Sequence, residues 1–210
     1  MTCGRYTGLT PVAGPRPDRV ADARQARTLS DKLRPRLRSM AAASDQLDQL
    51  LSQDDDRERR GEARKLDPEL RYFMQDAAGA ELWSRWDMQA TPPDVLITNY
   101  SMLNIALMRS AENDLLDATR RWIERSPDHT FFLVVDELHA YRGSAGTEVA
   151  YVIRLLLERL GLTRRPDQLR IVATSASLGT DDESRKFLEH FFGRDPGRFA
   201  IPISADQTSP

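Results

Sequence analysis

The run Phe131-Phe132-Leu133-Val134-Val135 ends abruptly in Asp136-Glu137, with His139 two positions further on. An apolar stretch this short, built from aromatic and β-branched residues, reads as a strand covered on both faces, as in a parallel sheet. In such a sheet the C-terminal strand ends meet the crevice where ligands bind. Two adjacent acids there are costly unless a cation compensates them, and Mg²⁺ with a nucleotide phosphate suits that role. A second apolar strand, Leu169–Ala173, ends in hydroxyls: Thr174, Ser175 and Ser177.

The stretch from Thr91 to Phe192 alternates strand and helix, which predicts an α/β fold with a parallel sheet flanked by helices. The segment 94–100 is expected to be a strand, with Ser101 capping a helix over 102–109. Helices are expected over 114–125 and 147–160. The second has Val149, Val152, Ile153, Leu156 and Leu160 as its apolar stripe and Gly161 at its end. A last helix, 182–192, starts at Thr180 or Asp181 and turns Phe187, Leu188, Phe191 and Phe192 inward.

The preceding zone, 15–90, reads as a charged insertion, helical or without fixed structure. Eight Arg/Lys face three acids between Arg16 and Arg38, and six acids face Arg57 between Asp45 and Glu58. Such blocks are usually solvated surface, and a basic strip for a nucleic-acid backbone is the alternative. A helix is expected over 31–51, with Pro35 marking its start, and another over 68–78. The run 54–61 is expected to be a solvated loop or helix end. Trp83 and Trp86 suit packing better than base stacking. The chain thus divides into 1–14, 15–90, 91–200 and a tail, 201–210.

The strand pair resembles motifs II and III of the superfamily-two DEAD/DEAH-box helicases. Asp136-Glu137-Leu138-His139 matches the D-E-x-H box and Ser175-Ala176-Ser177 matches S-A-T. The longer run from Asp136 through Tyr141-Arg142-Gly143 to Gly146 and Glu148-Val149-Ala150 is similar to MrfA-type (YprA-like) helicases. The resemblance implies part of a RecA-like first lobe, with ATP and Mg²⁺ as cofactors. Asp136 would hold Mg²⁺ through water, and Glu137 would orient and deprotonate the attacking water. His139 would bond toward the hydroxyls of Thr174, Ser175 or Ser177 and couple the nucleotide to the nucleic-acid side. Thr7-Gly8 and Thr98-Asn99 resemble strand-end motifs that touch the nucleic-acid backbone, which positions a strand without reading sequence. An ordinary turn accounts for each equally well. Arg142 would reach a phosphate or Glu137, or lie on the surface.

No G-x-x-x-x-G-K-[ST] loop occurs in the 210 residues, and such a loop cradles the phosphates. The sequence is therefore expected to begin within the first lobe, to lack the second, and to hydrolyse little ATP alone. It reads as a fragment of an ATP-dependent helicase or translocase: a truncated gene product, one piece of a split enzyme whose remaining lobes lie on another chain, or part of a longer sequence. DNA is favoured over RNA by analogy with DNA-repair and phage-defence helicases. The alternative is a non-catalytic module that binds nucleic acid or a partner. A metal-dependent nuclease would need further acids beside Asp136 and Glu137, and the strand ends offer only Asp94. Cys3 is the one cysteine, which excludes an intramolecular disulfide and fits a reducing cytoplasm. No apolar run approaches a membrane span, the remaining histidines lack metal-ligand spacing, and a net charge of −2 gives no nucleic-acid signal of its own.

Overall fold

A computed structural model describes residues 1–11, 16, 22–74, 79–179, 181–195, 197 and 199–200. Thr180, the expected helix end 75–78 and the tail 201–210 lie outside the described residues. The chain divides into two compact units, Met1–Leu115 and Leu116–Pro210. Both carry small parallel sheets with helices, so the chain is α/β.

In the first unit, β1 (Cys3–Tyr6) lies between β2 (Glu81–Leu82) and β3 (Val95–Thr98), and both pairings are parallel. Gly4 lies beneath α2 (Arg85–Ala90). A Cβ on it would come within 2.7 Å of the Met88 sulfur, so the missing side chain lets the helix settle on the strand. Ser84 starts α2 with a capping box closed by Asp87. Trp86 is buried in this core, whereas Trp83 precedes the cap and is half-buried.

Beneath β1 sits a buried polar cluster. Glu112 is 1% exposed; it accepts from the Tyr6 hydroxyl and, at 2.9 Å, from the Gln89 amide. The Arg85 guanidinium stands 4.9 Å over the Tyr6 ring and donates to the Thr7 carbonyl at 3.1 Å. Burial first, and then the bond to Glu112, push the Tyr6 hydroxyl well above the ordinary tyrosine range. A raised folded value means that this contribution is complete below the unfolded pKa of 10.0 and is lost as pH rises beyond it. Tyr6→Phe is therefore expected to cost about 1–3 kcal/mol near neutrality. It should also flatten the loss of stability above pH ~10, as read by urea unfolding at several pH values. An unchanged alkaline slope would remove Tyr6 as its source.

Helix α1 corrects two expectations. It runs from Ala23 to Arg59, so Pro35 lies inside it rather than at its start. Proline there removes one backbone bond, to Asp31. Asp22 caps the start through the Arg24 N–H, and favourable residues on either side carry the helix past the defect. Of the two readings of the run 54–61, the helix end holds, because helix continues to Arg59 and is capped at Arg60, whereas solvation fails at Asp54. Asp54 is buried and accepts from the N–H groups of Lys65 and Leu66, both at 2.8 Å, which folds the following segment back along α1. Arg64 completes this dock on Asp55 and Glu58. The expected helix from Pro68 is a 3-10 segment, Pro68–Phe73.

The remaining helix of the first unit, α3 (Tyr100–Met108), is capped by Asn99 and not by Ser101. Asparagine one position before the first helical residue accepts from the Met102 N–H at 2.9 Å, so the helix begins earlier than expected. Helix α4 (Asn113–Arg125) runs across the unit boundary.

In the second unit, β4 (Phe131–Val135) pairs in parallel with β5 (Leu169–Ala173). Helix α5 (Ser144–Arg159) begins a turn earlier than expected, and its stripe from Val149 to Leu160 is buried as the periodicity predicts. Helix α6 (Asp182–Phe192) is capped by Asp181 and buries Leu188, Phe191 and Phe192, while Phe187 is half-exposed. The buried Gln168 amide donates to the carbonyls of Ile123, Ser126 and His129 at 2.8–2.9 Å. One side chain thus ties the end of α4 and the approach to β4 to the start of β5. The sheet face carrying Phe132, Val134 and Val172 is exposed.

Candidate functional site

Strands β4 and β5 run in register, Val135 opposite Ala173, so the two chemistry-bearing ends emerge side by side. The ladder continues past both strands: Thr174 N–H donates to the Val135 carbonyl at 3.0 Å, and Leu138 N–H to the Thr174 carbonyl at 2.8 Å. Leu138 is fully buried and anchors the turn Leu138–Tyr141 beneath the site.

Between these bonds the chain bends sharply at Glu137, the one described non-glycine residue with positive φ, at φ 54° and ψ 46°. A left-handed conformation costs a side-chain-bearing residue about 1–2 kcal/mol. Two contacts hold it there: the Glu137 N–H donates to Thr174 Oγ1 at 3.0 Å and to Asp136 Oδ1 at 3.1 Å. The Thr174 hydroxyl donates in turn to Asp136 Oδ1. Asp136 is therefore fixed by one oxygen while its other oxygen has no described partner. Glu137 points outward with a largely exposed carboxylate.

His139 reaches the second strand end, but through backbone rather than a hydroxyl. Its Nδ1 lies 3.3 Å from the Ala176 N–H and 3.1 Å from Glu137 Oε2. One nitrogen serves only one of these at a time: unprotonated it accepts from Ala176, and protonated it donates to Glu137. Arg142 donates to the Ser177 carbonyl at 3.2 Å and lies 5.6 Å from the centre of the Phe187 ring. Its guanidinium thus fastens the Ser175–Ser177 loop, and Ser175 Oγ accepts from the Ser177 N–H at 3.4 Å. Asp136, Glu137, His139, Arg142, Thr174, Ser175 and Ser177 consequently form one cluster.

The donor set fits one share of a metal–phosphate site. Mg²⁺ is commonly held by one or two carboxylates together with substrate phosphates, and Asp136 offers one preoriented carboxylate. No group of three or more His, Cys, Asp or Glu that could hold a metal occurs among the described residues. The residues fit Mg²⁺ arriving with a polyphosphate and do not fit a free-standing metal site.

In the first unit, Tyr6 stands opposite Thr98, which brings Thr7-Gly8 and Thr98-Asn99 together at one sheet end. Their polar groups are largely committed. The Thr98 hydroxyl donates to the Tyr6 carbonyl at 2.7 Å, Asn99 caps α3, and Thr7 N–H donates to Thr10 Oγ1 at 2.8 Å. Gly8 is exposed, with nothing within 4 Å of where a Cβ would stand. Sequence reading missed Arg85, Thr10 and Glu112, which support this end. The partners of Glu112 and Arg85 lie 106 and 78 residues away, with no local signal, whereas Thr10 bonds five residues back to the Arg5 carbonyl.

Over part of its length the chain is similar to two curated proteins, one of which is named as an ATP-dependent helicase. It is 41% identical to the Druantia protein DruE of Escherichia coli over 116 residues, 55% of this chain and 6% of that protein. It is 34% identical to an uncharacterized ATP-dependent helicase of Methanocaldococcus jannaschii over 114 residues, 54% of this chain and 15% of that protein. The matched region is thus a small part of either relative. No family model matches the chain. No solved structure matches it either. No described helix is long and apolar enough to cross a membrane.

Proposed function

We propose that the β4–β5 strand ends are the carboxylate half of an ATP-hydrolysing site in a DEAD/DEAH-box helicase or translocase, with a partial RecA-like lobe around them. The observation that carries this reading is the Asp136–Thr174–Glu137 lock. It holds two acids at one strand end in different roles, one carboxylate fixed and one projecting from a strained residue. Bound Mg²⁺·ATP would supply the electrophilic phosphorus and charge neutralisation. Asp136 would take the metal through water, and Glu137 would orient the attacking water and accept its proton. His139 and Arg142 would transmit the state of this end to the Ser175–Ser177 loop.

Nucleic acid is the proposed partner, with DNA preferred over RNA, and Thr7, Gly8, Thr98, Asn99 and Arg142 are the proposed backbone contacts. At the first sheet end, Gly8 and the strand-end amides are the accessible part, since the threonine and asparagine side chains already serve the fold. Neither Asp136 nor Glu137 can cradle β- and γ-phosphates, and a G-x-x-x-x-G-K-[ST] loop is absent from these residues. The phosphate-binding loop and the remaining lobes are proposed to lie outside these residues, on the same polypeptide or on a partner chain, and the cytoplasm is the proposed compartment.

Phosphate release from Mg²⁺·ATP by this chain, with and without single-stranded DNA, tests this division. The expected rate is no higher than that of Glu137→Gln. DNA-stimulated turnover that the substitution abolishes would show that the chain builds its own phosphate cradle.

A further inference from the structure

Helix α1 carries a seam that the proposed activity does not use. Ser30, Leu33, Leu37, Met40, Ser44 and Leu47 follow one another at alternating steps of three and four residues. All six are half-buried, whereas every other residue between Ser30 and Leu47 except Ala43 is exposed. This 3.5-residue repeat is the spacing at which helices pack knobs into holes along a shared stripe. Pro35 lies on the opposite face, where its distortion leaves the stripe intact. A dock of α1 onto its own unit lies further along, at the buried Leu51 and Asp54.

The charges on the same helix are divided. Ala23–Met40 carries six Lys/Arg and one acid, whereas Ala41–Arg59 carries six acids and two arginines. A parallel pair of such helices would set like charge against like, while an antiparallel pair sets basic against acidic along its length. The seam suits the same arrangement, because it is almost symmetric about Met40. Antiparallel pairing centred there faces the Leu33–Leu37 end of one helix with the Ser44–Leu47 end of the other. Arg34, beside the stripe, then falls opposite Gln46 and about 3 Å along the axis from Asp48, within reach of its long side chain. Among the described residues, Arg34 has an ion pair with Asp31 at 3.8 Å, between two largely exposed side chains, a contact of little energetic weight.

We propose that α1 is an antiparallel self-association helix whose occupant is the α1 of a second copy of this chain. Each Arg34–Asp48 contact occurs twice per dimer. Sedimentation equilibrium of the full chain across the micromolar range, at low and high salt, is the test. The expected result is a monomer–dimer equilibrium that weakens with salt. R34E and D48R should each raise the dissociation constant by about tenfold or more, and the R34E/D48R double swap should restore it. Both positions are exposed, and unchanged helicity by circular dichroism confirms that each variant folds. A chain that stays monomeric overturns the proposal. So does a dimer indifferent to both single swaps. A monomer in which R34E only weakens binding to single-stranded DNA also overturns it, and would assign the basic half to a nucleic-acid backbone.

Discussion

Gly146→Ala is expected to destabilise the second unit by about 3 kcal/mol or more, with loss of native structure around the D-E-x-H turn. Gly146 lies buried in the first turn of α5. A Cβ built there falls 1.7 Å from the Tyr141 carbonyl oxygen and 2.6 Å from its carbon. Both are backbone atoms, so no side-chain rotation relieves the overlap. Either α5 shifts, disturbing the stripe from Val149 to Leu160, or the turn Leu138–Tyr141 moves and lifts Leu138 out of the core. The second route also displaces His139 from Ala176. Gly8→Ala is the control, since that site is open, and its effect should stay within ~0.5 kcal/mol. Urea unfolding of both variants reads the difference; equal midpoints would contradict the close approach at Gly146.

Glu137→Gln is expected to lower ATP turnover by about 10²–10⁴ once a phosphate-binding loop completes the site, with nucleotide binding retained. The amide keeps the shape and the backbone bonds to Thr174 and Asp136, which come from the Glu137 N–H and not from its side chain. It loses the capacity to accept a proton from water. It also loses the charge that a protonated His139 would meet at 3.1 Å. A variant that binds nucleotide and turns over at the unsubstituted rate would assign proton acceptance to another group.

The second unit was the more legible in sequence. Phe131–Val135 and Leu169–Ala173 are apolar runs bounded by polar residues, so both strands were visible, whereas their pairing and the exposed face with Phe132, Val134 and Val172 were not. The stripe of α5 was visible because helical periodicity is local. The conformation of Glu137 was not visible: nothing marks a glutamate as left-handed, and its stabilisation comes from Thr174, 37 residues on. Gly146 was seen only as part of a resemblance, since its requirement arises from a backbone approach that no pattern encodes. Pro35 misled because local propensity reads proline as a boundary, whereas an exposed helix tolerates one missing bond. Asp54 read as solvated because its N–H partners lie beyond the helix end, in a segment without periodicity.

The most direct measurement is DNA-stimulated phosphate release from Mg²⁺·ATP after this chain is combined with a segment bearing a strand, a G-x-x-x-x-G-K-[ST] loop and a helix from a helicase relative. Turnover that appears only in the combination, and that falls with both Asp136→Asn and Glu137→Gln, is the result predicted for a carboxylate half-site. A combination that binds ATP and DNA yet releases no phosphate, or releases it equally with both substitutions, would contradict it.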